Sequence, residues 1–372
     1  MNEQRTHFEL ISVCSKNLDL INTYEYCFRF DVSLSNCLVI ILGDRISTSF
    51  LSNRLEDDNV QFLYVPENDL FAKLSVKFFN LNSPRIAKKI LVVLFSYLFQ
   101  TTYRSFKLTS WKRTLSPYSC QTLILDLWRT KVPILNYINF KKLVIMDGGT
   151  STKNLKLLKN WELTRNKTAV LTNYLSNQKY HLRDRKSFRN SFQRFIYTIH
   201  CEILYGLPEH ILSKIKGNWP VEPHLFSAYV NADDKKKHVT LNSYQHHKSI
   251  FQNFPIGDYA IVLGHPEFRT LDNSRKCLID ESYSKILYLF HPRDRRNFLL
   301  DMSERNSSYN RVERLNWEVL DIQVSIEIYL YQRKTLPAKI VTYQGSASAF
   351  LEAVLDERVT IQNVKITSTE VK

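Results

Sequence analysis

Lys142-Leu143-Val144-Ile145-Met146-Asp147-Gly148-Gly149-Thr150-Ser151-Thr152 sets an apolar run of strand length against a carboxylate, a glycine pair and a string of hydroxyl residues. The run reads as a buried strand ending at the acid. Glycine has no Cβ, so the chain can turn sharply after Asp147, and Thr or Ser can then cap a helix. Strand, turn and helix start in direct succession are what a parallel sheet needs, because each strand must be followed by a crossover on one face.

The same alternation extends outward. Apolar, β-branched runs at Phe8–Val13, Cys37–Leu42, Val60–Val65 and Thr122–Leu127 are predicted strands, and helix-like spacing marks Asp69–Phe79 and Pro84–Thr102. Residues 1–165 therefore read as one doubly wound, Rossmann-like domain. Over 166–254 strand signals thin out. A basic stretch, His181–Arg194, overlaps a predicted helix, Ser191–Tyr205, stopped by Gly206 and Pro208, and the polar run Asn231–His247 reads as an exposed loop. This segment is taken as a helical connector. Strand signals resume at Tyr259–Leu263, Lys285–Phe290 and Ala338–Tyr343, so 255–372 reads as a second Rossmann-like α/β domain.

Composition narrows the function classes. With 372 residues, 44% hydrophobic and 13% aromatic, the chain can bury sizeable cores, which excludes a disordered tail or a disulfide-held miniprotein. Cysteines 14, 27, 37, 120, 201 and 277 form no Cys-x-x-Cys pair and no zinc-spaced cluster, the usage of a reducing compartment without a structural metal. Met1–Ser12 carries charges and no apolar stretch of signal-peptide length, which reads as a cytosolic start. The most apolar run, Ile90–Gln100, falls short of the roughly eighteen residues a membrane-spanning helix needs.

Only 8 glycines occur, and Gly43, Gly148, Gly149, Gly264 and Gly345 each follow the carboxyl end of a predicted strand. Ligands of open parallel sheets bind at that edge, although a tight strand-to-loop turn alone is the simpler account of any one of them. Asp147, fixed on a strand end, is placed to be a general base, with an Asp closing its own turn as the plain alternative. His291, after Ile286–Phe290 and locked by Pro292, stands beside Arg293. Gly264-His265-Pro266 repeats that pattern. Val341-Thr342-Tyr343-Gln344-Gly345-Ser346-Ala347-Ser348 runs from strand through glycine into a helix start, an outline that suits an anion or an ordinary serine cap. Glu327, alone in Ser325-Ile326-Glu327-Ile328-Tyr329, either faces solvent or accepts hydrogen bonds from ribose hydroxyls.

Taken in order, strand-Asp-Gly-Gly, Gly-His-Pro, strand-His-Pro-Arg, an acid and strand-Gly-Ser-x-Ser-helix resemble the bacterial sialyltransferases and polysialyltransferases of GT-B architecture, above all the lipooligosaccharide sialyltransferases. The resemblance spans about 145–352. It implies two Rossmann-like domains facing across a cleft and an inverting transfer of sialic acid from CMP-sialic acid to a hydroxyl of lipooligosaccharide or capsule. Asp147 would take the acceptor proton, with Gly148 and Gly149 on the acceptor side. His291 would assist departure of CMP, Ser346 and Ser348 would hold its phosphate, and Glu327 the ribose or cytosine end. Gly264, His265, Arg293 and Gly345 would complete the donor side. Where the family carries an acidic pair this chain has one acid, laid as Asp147-Gly148-Gly149 in preference to Met146-Asp147-Gly148, and Ala347 separates its serines.

No Asp-x-Asp occurs, so no metal or other cofactor is expected beyond the nucleotide-sugar donor. Lys plus Arg exceed Asp plus Glu, 51 to 36, a net charge of +15. Basic residues Arg183, Arg185, Lys186, Arg189 and Arg194, with Lys88, Lys89, Arg104, Lys107, Lys112 and Arg113 around the apolar run, suit either peripheral docking of a cytoplasmic enzyme on an anionic inner membrane or a solvated surface. The partners expected are a nucleotide sugar and a glycan or glycolipid acceptor. Nucleic acid is not expected, since no zinc-finger, RNP or GXXG signature accompanies the charge. The alternatives are another donor, CMP-Kdo or a UDP- or GDP-hexose, a basic nucleic-acid-binding protein, and an inactive structural relative.

Overall fold

The computed structural model describes residues 6–42, 59–65, 110–126, 134–135, 137–147, 224–229, 239–264, 283–289, 317–320, 325–343 and 346–364. They hold two parallel sheets. The first is built from β1 (Thr6–Cys14), β2 (Cys37–Leu42), β3 (Gln61–Val65), β4 (Tyr118–Asp126), β5 (Asn139–Met146), β6 (His224–Ser227) and β7 (Val239–Leu241), in the order β3-β2-β1-β4-β5-β6-β7. The second holds β8 (Ile256–Leu263), β9 (Lys285–Leu289), β10 (Trp317–Leu320), β11 (Leu336–Tyr343) and β12 (Thr360–Val364), in the order β10-β9-β8-β11-β12. Every pairing is parallel. Strand order reverses between β1 and β4 and again between β8 and β11, the doubly wound arrangement of Rossmann-like sheets.

Sequence explains why these strands pair side by side. All six residues of β2 are buried, as are the last four of β4 and of β5 and the last five of β8, which is the burial of strands covered on both faces. Their amino halves tolerate Gln121, Lys141 and Asp258, because burial deepens toward the carboxyl ends. The first core interleaves Ile11, Val13, Ile40, Leu123, Leu125, Leu143 and Ile145 with Trp111 and Leu115 from a helical turn at 110–115. The second packs Ala260, Val262, Ile286, Tyr288 and Val341.

Four helices are described at length: α1 (Asn17–Arg29), α2 (Gln245–Gln252), α3 (Ile326–Arg333) and α4 (Ser346–Val354). The residues divide into two compact units, the first carrying β1–β7 and the second carrying α1 together with everything from Asn242 onward. Helix α1 packs on α2 and α3. Its Asn22 Oδ1 accepts from Asn242 Nδ2 at 2.9 Å, and its Glu25 accepts from the backbone N–H of His247 at 2.7 Å and of His246 at 3.3 Å. Glu25 thereby caps α2 from a different helix, where Tyr244, at φ 50°, offers no side-chain cap of its own.

Three readings of the sequence are corrected. Residues 166–254 are not a purely helical connector, because β6 and β7 lie within them and extend the first sheet. Strands of four and three residues are too short to show a period, and their stability comes from the ladder to β5. The end of the polar run Asn231–His247 is not an exposed loop, since Asn242 and His247 are buried by the contacts to α1. The interval given to the first domain includes α1, which packs in the second unit. The predicted helices at 69–79, 84–102 and 191–205 lie outside the described residues, as does Gly43.

Candidate functional site

Four of the residues singled out above, Gly264, Glu327, Ser346 and Ser348, are described at strand ends or helix starts of the second unit. Strand β8 ends at Leu263, and the N–H of Gly264 donates to the Leu289 carbonyl at 2.8 Å, so the chain leaving β8 is tied to the end of β9. His265, which follows Gly264, and His291 and Arg293, which follow β9, lie outside the described residues. On the other side of β8, β11 ends at Tyr343 and α4 begins at Ser346, with Gly345 outside the description. The amino end of α4 therefore stands over the β8/β11 reversal, where a helix dipole and free N–H groups favour an anion. Ser346 is its first residue. Ser348 is buried, with its hydroxyl 3.3 Å from Thr342 Oγ1 on β11, so that oxygen is engaged inside the fold.

Glu327 does not face solvent. It is the second residue of α3, the helix that follows β10, and only 6% of it is exposed. Burial pushes its carboxyl above the ordinary range, partly offset by the Ser325 hydroxyl and by its own backbone N–H. Ser325 in turn accepts a hydrogen bond from Asn17 Nδ2, at 3.1 Å. A polar chain thus runs Asn17 to Ser325 to Glu327, joining the amino ends of α1 and α3. Just before α1, Lys16 Nζ lies 3.9 Å from Asp19 Oδ1 on that helix. Asn17 was not singled out from sequence. The available signal was a strand-length apolar run ending at Cys14-Ser15-Lys16-Asn17, a polar turn without glycine.

Asp147 sits one residue beyond β5 and is 1% exposed. Its Oδ1 accepts from Ser227 Oγ at 2.5 Å and its Oδ2 from the Ala228 N–H at 2.7 Å, while Ser227 Oγ also accepts from the Tyr229 N–H at 3.1 Å. The acid does not simply close its own turn. It fastens the end of β5 to the turn after β6. Gly148 and Gly149 lie outside the described residues.

Among the described residues no group of three or more His, Cys, Asp or Glu could hold a metal, and no helix is long and apolar enough to cross a membrane. Cys14, Cys27, Cys37 and Cys120 are buried and not joined in disulfides. Lys112 and Arg113 of the basic group are exposed, and the other basic positions lie outside the description. No family model matches the chain, and no curated protein matches it.

Proposed function

We propose that the chain is an inverting glycosyltransferase of GT-B architecture that moves sialic acid from CMP-sialic acid to a hydroxyl of a cell-surface glycan. The observation that carries the reading is the buried acid Glu327 at the start of α3, on the same strand-end rim as the amino end of α4. An acid suits ribose hydroxyls, and a helix start suits a phosphate. The two parallel sheets, each reversing strand order, are the architecture such an enzyme requires.

In this reading CMP lies over the second sheet with its phosphate at Ser346 and the start of α4. His291 donates to that phosphate as the anomeric bond breaks, and Arg293 lends charge. Asp147 takes the acceptor proton. The hydrogen bonds from Ser227 and Ala228 fix its orientation, and its burial requires the arriving acceptor to open the end of β5. A single departing phosphate can be stabilised by cationic side chains and a helix end without a divalent ion. The enzyme works at the cytoplasmic face of a membrane, held there by its basic residues.

Thermal melts with CMP, UMP, UDP and GDP, together with CMP release from CMP-sialic acid over a panel of galactosides and sialosides, test this. CMP is expected to raise the midpoint and galactoside or sialoside to accelerate CMP release. A shift with UDP and none with CMP would move the donor to a UDP-sugar, and no shift with any nucleotide would end the enzyme reading. His265→Ala is expected to be milder than His291→Ala in the same assay.

A further inference from the structure

Buried polar atoms without partners are rare in folded proteins, because each one loses its bonds to water and gains nothing in return. Asn17 is 5% exposed, and its Oδ1 has no hydrogen-bond partner among the described residues while its Nδ2 is committed to Ser325. The amide is therefore oriented, with its carbonyl left as an acceptor at the joined amino ends of α1 and α3. An acceptor in that position calls for a donor that the described residues do not supply. The neighbouring acceptor is Glu327, bonded to the same Ser325. Two acceptors bridged by one hydroxyl match a ligand presenting two adjacent O–H groups, and a ribose presents them at its 2′ and 3′ carbons.

We infer that Asn17 is a ligand-binding residue, forming with Glu327 an acceptor pair for the vicinal diol of a ribose. The inference rests on reading the rim of the second unit as a nucleotide site, and it adds a residue from α1, more than 300 positions away from Glu327 along the chain. Ser325 is the positioning residue. By accepting from Asn17 it turns its own hydrogen toward Glu327, which sets both acceptors for the incoming diol. Burial favours the neutral form of the Glu327 carboxyl, which can donate as well as accept.

Calorimetric titration of the full chain with CMP and with 2′,3′-dideoxy-CMP tests the assignment. Two hydrogen bonds at about 1 kcal/mol each predict that the wild-type chain prefers CMP by about thirtyfold. Asn17→Ala is expected to cut that preference to about fivefold while leaving dideoxy-CMP affinity within about twofold of wild type. Asn17→Leu, close to isosteric and free of polar atoms, gives the same readout should the alanine variant fold poorly. A merely structural Asn17 would weaken both ligands together and leave their ratio unchanged. If either variant binds CMP with the full preference, Asn17 is not a ribose ligand and the nucleotide reading stands. If the wild-type chain binds neither these ligands nor UMP, UDP or GDP, the nucleotide reading and this inference fall together.

Discussion

At the scale of single residues, Glu327 and Asp147 show how the same functional group is set to different tasks. Glu327 is buried with few compensating bonds, so its folded-state pKa lies above the unfolded value. Between those two values the folded chain binds the extra proton, so Glu327 contributes stability that is present in acid and lost as pH rises through the raised value. Glu327→Gln is thus expected to raise the melting midpoint at pH 7, to change it little near pH 4, and to weaken CMP binding about tenfold. Midpoints at the two pH values and one titration check this, and a variant both less stable at pH 7 and unchanged toward CMP would refute both roles. Asp147 is instead held by hydrogen bonds to both of its oxygens. Asp147→Ala orphans the Ser227 hydroxyl and the Ala228 N–H, and is expected to cost about 2–4 kcal/mol in denaturant unfolding before any effect on transfer is counted. A variant of wild-type stability that lost transfer would make Asp147 a pure base. Both acids were legible in the sequence as special positions, because each interrupts an apolar run at an element end. The partner of Asp147 was not, since Ser227 is 80 positions away and no local pattern announces it.

At the scale of elements, legibility followed length. Strands of five or more apolar residues announced themselves, whereas β6 and β7 are held by their neighbours and left no period. Helix α1 was missed for a different reason. Asn17, Asp19, Asn22, Thr23 and Glu25 are all buried, so its polar residues do not mark a solvent face. Asn17, Asn22 and Glu25 spend their side chains on Ser325, Asn242 and the start of α2, and the junction with α2 shows the cost and the return. Burial alone would raise the Glu25 pKa, but the His247 ring, 2.5 Å away at Nδ1, and the N–H groups of His247 and His246 outweigh it, and the carboxyl falls below its ordinary range. A depressed acid stabilises above its unfolded pKa and loses that contribution as pH falls through the folded value. The helix pair is therefore expected to loosen in acid, as pH falls through that depressed value. Glu25→Gln should remove that acid sensitivity and destabilise the neutral protein by about 3 kcal/mol, since it breaks a buried pair from one side. Amide exchange across 245–252 as a function of pH would report it. Unchanged protection in the variant would show that α2 is capped by other means.

At the scale of the whole molecule, two doubly wound sheets were readable because parallel strands are continuous apolar runs separated by crossover lengths. The allocation of chain to unit was not. Sequence reading cuts where composition shifts, but the second unit takes residues 16–29 from between β1 and β2 of the first sheet. Those residues bond polar groups of the later chain: Asn242 Nδ2, the N–H groups of His246 and His247, the His247 ring and the Ser325 hydroxyl. At about 1–3 kcal/mol for each group left unpaired, their sum rivals the 5–15 kcal/mol that holds a typical domain together. A fragment of residues 242–372 is accordingly expected to show no cooperative melt, although it carries the complete second sheet. Joining residues 16–29 to its amino end through a flexible Gly/Ser linker should restore a cooperative transition and near-ultraviolet dichroism. The fragment without α1 melting as sharply as the fused one would mean that α1 is an attachment to the second unit instead of a part of its core. The contacts of Glu25, Asn22 and Asn17 would then have to be worth far less than their burial implies.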